Sequence, residues 1–70
     1  MINYKFILDL LKKEFGPAAK IFLDKAMDTL GITEINENNY REVLEILKMN
    51  KQIRDYVIEV ERKIESMKKS

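Results

Sequence analysis

The chain has 70 residues, 36% of them charged, and its thirteen basic and twelve acidic side chains leave a formal charge of +1. It contains no Cys and no His, which excludes disulfides, Cys/His metal sites and the usual activated-nucleophile pairs of enzymes. A core this small is weakly held without such devices, so close helix packing or a partner chain must supply the stability.

The first helix is expected from about Asn3 to Glu14. Asn3 has the short acceptor side chain of an N-cap. Tyr4, Phe6, Ile7, Leu8, Leu10, Leu11 and Phe15 cover roughly 200° of the wheel, leaving Lys5, Asp9, Lys12 and Lys13 as a narrow polar strip. Such a wide apolar arc implies a helix wedged between two neighbours or buried at a subunit contact. Glu14 falls inside the arc and is expected to turn to water. Asp9 and Lys13 are spaced as an i,i+4 ion pair.

Gly16-Pro17 ends that helix, because Pro disfavours helical geometry at the residue before it. Pro17 suits the first position of the second helix, expected from Pro17 to about Leu30. Ala19, Phe22, Leu23, Ala26, Met27 and Leu30 share an arc of about 140° opposite Lys20, Asp24, Lys25 and Asp28. The two alanines permit close approach of another backbone. Ile21 lies among the charges, either as an isolated exposed apolar residue or as a contact point for another chain. Gly31 is placed to end the helix in the left-handed conformation.

Residues Ile32 to Asn39 read as a connector. With Asn36 as N-cap, Ile35 and Tyr40 form a hydrophobic staple. With Asn39 as N-cap, Glu42 completes a capping box instead. Beyond it Val43, Ile46, Asn50, Ile53, Val57, Val60, Ile64 and Met67 are spaced alternately by three and four, as in a heptad seam. Val43, Leu44, Ile46, Leu47 and Met49 should sink against the first two helices. After residue 50 the stripe narrows, with Tyr56 and Ile58 widening it locally. Glu59–Lys63 and Glu65–Lys69 are expected to pair along its wet face.

No Gly or Pro interrupts Met49-Asn50-Lys51, so one continuous helix from Asn39 to Met67 is expected, about 43 Å long. Asn50 would then be the polar a-position residue that fixes register. The alternative is a break at Asn50 and a fourth helix folding back. The fold class is therefore all-α, a single domain over residues 1–70. Residues 1–38 give two short helices and a connector, and 39–69 a long helix or two.

Little chemistry is implied. Ser66 and Ser70 lie in a tail that frays, and two glycines cannot make a phosphate loop. Asp24 with Asp28, and Glu61 with Glu65, read as solvated helix faces. No cofactor, metal or catalytic residue is expected. Leu30-Gly31-Ile32-Thr33 ahead of a Leu/Ile-rich helix resembles a short piece of a sterile alpha motif domain. The resemblance covers those positions only and carries no function to this chain.

Residues 1–35 carry five charges of each sign, and residues 36–70 eight basic and seven acidic. Neither half is polarised enough to attract nucleic acid or an anionic membrane. Arg62, Lys63, Lys68 and Lys69 are interleaved with Glu61 and Glu65. No segment has the basic start and apolar run of a signal peptide, or the roughly 18 apolar residues of a membrane span. The expected protein is a cytoplasmic, non-catalytic oligomerisation or protein-interaction module, as a homodimer. Its interface would be Asn50, Ile53, Val57, Val60, Ile64 and Met67, with Ile21 as a second contact. A helix-turn-helix-like nucleic-acid binder is the alternative.

Overall fold

The computed structural model describes residues 1–69. Ser70 and the Lys69 side chain, and with them the expected Glu65–Lys69 pair, lie outside the described residues. The chain is all-helical: α1 (Tyr4–Phe15), α2 (Ala19–Leu30), α3 (Tyr40–Lys48) and α4 (Arg54–Lys69).

Local chemistry sets the ends of each element. The Asn3 side chain accepts from Phe6 N–H at 2.8 Å and caps α1. Gly16 takes φ 86° and ψ −164°, a region open essentially to glycine alone. Pro17 and Ala18 form a tight turn in which Ala19 N–H donates to the Gly16 carbonyl at 3.0 Å. The second helix therefore starts two residues later than Pro17. It ends at Gly31, with φ 69°, where Gly31 and Ile32 N–H groups donate back to Asp28 and Met27. That is the Schellman arrangement, with Ile32 packed on the core as its apolar contact.

The asparagine-rich connector resolves in favour of Asn36. Its side chain accepts from the N–H groups of Asn38 and Asn39 at 2.8 and 3.1 Å. The Asn39 side chain accepts in return from Asn36 N–H at 2.9 Å. This reciprocal pair closes the turn that runs into α3, and Ile35 and Tyr40 are both buried beneath it. Asn39 makes no side-chain cap to α3.

The expected long helix is broken. Lys48 ends α3, the N–H groups of Met49 and Asn50 turn back to Ile46 and Leu47, and α4 begins at Arg54. The Asn50 side chain accepts from Gln52 N–H at 2.9 Å, an Asx turn that stabilises the reversal. Energetics explain the break. Folding α4 back buries Ile53, Val57, Val60 and Ile64, at about 1.5–3 kcal/mol each. The few backbone bonds given up are worth about 0.5–1.5 kcal/mol apiece. Burying the same stripe between two chains would add an association cost of at least about 4 kcal/mol.

The four helices close a ring in which each packs on its two neighbours in sequence and α1 meets α4. The wide arc of α1 is used as expected for a wedged helix, between α2 and α4. The core runs through Ile7, Leu11, Leu23, Val43, Leu44, Val57, Val60 and Ile64. Ion pairs tie the rim. Glu14 does not turn to water; it meets Lys63 across α1 and α4 at 2.6 Å. Lys63 is thus drawn away from the expected Glu59, which pairs with Arg62 instead at 3.3 Å. Asp9 and Lys13 form no ion pair among the described residues.

Candidate functional site

The residues expected at an interface fall into two groups. Ile53, Val57, Val60 and Ile64 are buried in the chain's own core, so the surplus apolar stripe that suggested an interface is consumed internally. Asn50 sits at the α3–α4 turn, where its side chain accepts from Gln52 N–H. Met67 is half exposed near the end of α4, and Ile21 is 70% exposed on α2. The fold therefore does not bring Ile21 and the seam onto one surface.

Among the described residues no group of three or more Asp or Glu is placed to hold a metal ion. The carboxylates engage neighbouring cations. Asp24 accepts from Lys20 Nζ at 2.5 Å and from the Tyr4 hydroxyl at 2.7 Å. The Lys20 bond, then the Tyr4 bond, hold the Asp24 carboxyl below its ordinary range. Burial, with Asp24 adding to it, pushes the Tyr4 phenol up. Glu61 meets Lys48 at 3.0 Å and Glu65 meets Arg41 at 3.2 Å. Lys48 also reaches Glu45 at 2.7 Å, and these two carboxylates, Glu45 first, raise its pKa.

Two grooves flank α3. The one against α4 has a volume of about 610 Å³ and includes Tyr40, Leu44 and Ile58. Its charges are already paired: Arg41 with Glu65 within the lining, Arg62 with Glu59, and Glu45 and Glu61 both with Lys48. A ligand entering there would have to break those pairs.

The groove on the other side, between α2, α3 and the α3–α4 turn, has a volume of about 390 Å³. Phe22, Ala26, Ile46, Leu47 and Ile53 supply its apolar lining. Ala26 contributes only a methyl, so the helices leave space where a larger residue would fill it. Phe22 is held from behind by an edge-on contact with Phe15, ring centres 5.9 Å apart, and Phe15 packs against Tyr56 at 5.7 Å. Met49 stands at the rim and is 77% exposed. It also borders the adjoining depression, which is lined by Glu45, Lys48, Lys51 and Arg54.

Met49 was expected to sink against the first two helices; the break after Lys48 leaves it outside. Its position beside Asn50 and off the three-and-four spacing was the one sequence signal available. Phe22 and Ala26 were legible as buried residues of α2, but nothing in the spacing marked them as the wall of an opening. Ile21 lies outside the groove lining, one helical turn before Lys25 on α2.

No protein-family model matches the chain. An uncharacterized protein of Archaeoglobus fulgidus is 57% identical over 65 residues, spanning 93% of this chain and 96% of its own length. The crystal structure of Archaeoglobus fulgidus Af1502 superposes with a TM-score of 0.90 at 55% identity, covering 93% of this chain and 96% of that one. At this identity and coverage, the chain belongs to the family of the uncharacterized Archaeoglobus fulgidus protein.

Proposed function

We propose that this chain is a small, non-catalytic protein-interaction module whose contact surface is the α2–α3 groove and the α3–α4 turn. The observation that carries this reading is the exposure of Met49 beside an apolar groove. Met49 is a flexible, polarisable side chain of the kind found on adaptable binding surfaces. Ile21, one turn before Lys25, extends apolar surface along the same helix.

The seam itself supports a homodimer less well, because α4 would have to leave α1 and α3 to present it. Site-specific photo-crosslinking tests the reading. A photoreactive residue is placed at position 49, and at position 37 as a control, in cells that produce the chain. Glu37 is exposed and precedes α3, whereas Met49 follows it. A discrete crosslinked protein from position 49 alone is the expected result. No product, or the same products from both positions, would reject the proposal.

A further inference from the structure

We infer that the groove takes an acidic, amphipathic helical segment of another protein, a conclusion that rests on the proposed role as an interaction module. Charge selects the occupant. The groove and the adjoining depression are bordered by four cations, Lys25, Lys48, Lys51 and Arg54, and one carboxylate, Glu45. Lys48 is occupied by Glu45 and Glu61. Among the described residues, Lys25, Lys51 and Arg54 have no carboxylate partner.

Asp55 follows Arg54 directly but lines neither opening, and Asp28 lines a different cleft with Tyr4 and Lys20. Elsewhere Arg41 meets Glu65, Arg62 meets Glu59, Lys63 meets Glu14 and Lys20 meets Asp24. Lys5, Lys12 and Lys13 on α1 and Lys68 on α4, also without a carboxylate partner among the described residues, line neither opening. The unpaired cations at this groove are a local excess on a chain whose total charge is only +1.

An apolar floor with a mainly cationic rim selects an occupant with apolar residues on one face and carboxylates beside them. A helix that anchors through positions i, i+3, i+4 and i+7 has that form. The volume, about 390 Å³, lies at the small end of ligand clefts, roughly 300–1,000 Å³. That size suits a few inserted side chains rather than a broad globular face. A second copy of this chain is disfavoured, because a two-fold contact through the groove would bring two copies of the same cationic rim, Lys25, Lys51 and Arg54, together. Nucleic acid fits the rim but leaves the apolar floor unused.

The test is an NMR titration of the isotope-labelled full chain with three probes: an acidic amphipathic peptide with leucines at i, i+3, i+4 and i+7, the same peptide with lysines for its acids, and a short DNA duplex. The expected result is shifts confined to residues 22–29 and 46–54 with the acidic peptide. The lysine peptide should bind at least tenfold more weakly. A Lys51→Glu, Arg54→Glu double variant, exposed enough to fold normally, should lose affinity for the acidic peptide by tenfold or more. Equal binding of both peptides, shifts elsewhere, or no binding would overturn the inference. Tighter binding of the duplex at the same residues would overturn it in favour of nucleic acid, and concentration-dependent shifts there without any probe in favour of a second copy. A protein crosslinked from position 49 together with a failed titration would sink the acidic-segment inference alone. Failure of both experiments would remove the interaction reading as well.

Discussion

Asp24 shows how a surface residue couples this fold to pH. Its carboxylate is bonded by Lys20 and Tyr4 and is held below its ordinary pKa. A depressed carboxylate contributes stability above its unfolded-state pKa, about 4, and that contribution is lost as pH falls through the lower folded value. Tyr4 has the opposite sign. Its raised pKa means stability present below about pH 10 and lost as pH climbs through the folded value. With no His or Cys to titrate between these limits, the melting temperature should be flat from about pH 5 to pH 9. Asp24→Asn should melt a few degrees below the wild type at pH 7, a small effect because the pair is largely exposed. That gap should close near pH 2 in thermal scans; an unchanged gap would show that the bond contributes no linkage. The pairing was half legible. Lys20 and Asp24 stand four apart on one helix, but Tyr4 comes from another element and only packing places it there.

At the scale of elements, the α3–α4 junction takes the second of the two forms the sequence allowed, a break at Asn50 with a fourth helix folded back. The continuous helix was inferred from the lack of Gly or Pro at residues 49–51, and local propensity does permit it. Packing decides otherwise, and Asn50 supplies the turn chemistry that packing needs. Asn50→Ala should therefore cost about 1 kcal/mol by loss of the side-chain acceptor, read as a lower urea midpoint with unchanged slope. It should also weaken the distinction between broken and straight forms. Light scattering at high concentration should then show more dimer than the wild type, because a straightened α3–α4 exposes the seam for exchange between chains. A variant as stable as the wild type would mean that the helix packing alone holds the turn. Two other ends were legible because each is local: Asn3 bonds three residues on and Gly31 takes a left-handed φ, whereas the sequence left Asn36 and Asn39 as alternatives and the fold uses both in one reciprocal pair.

At the scale of the whole molecule, one ring of four helices shares a single core, so damage anywhere in it is felt everywhere. Val57 is fully buried in that core. Val57→Asp should place an unpaired carboxylate there, at a cost of several kcal/mol, against a total stability of roughly 5–15 kcal/mol. The expected outcome is loss of the cooperative melt by circular dichroism at 25 °C. A folded Val57→Asp chain with lowered solution mass would instead mark Val57 as an interface residue. For the wild type, light scattering over a concentration series should give the monomer mass, since the stripe that argued for association is covered by α1 and α3. A stable dimer would restore the seam, or the groove, as a surface between copies.

The sequence by itself determined that the chain is helical, where α1 begins and ends and α2 ends, and most of the residues that avoid water, with Met49 and Glu14 as exceptions. Those properties follow from periodicity and from turn residues that act on near neighbours. Tertiary structure decided what covers the apolar stripe. A heptad spacing states that one face must be buried, and it is equally satisfied by a partner chain or by the chain's own preceding helices. The choice depends on whether residues 1–48 can offer a complementary surface at the cost of a short turn, and α1 and α3 do. The same choice left Met49 outside and opened the groove beside Ala26 with unpaired cations at its edge. Those residues are far apart in sequence, and only the closed ring of helices brings them together.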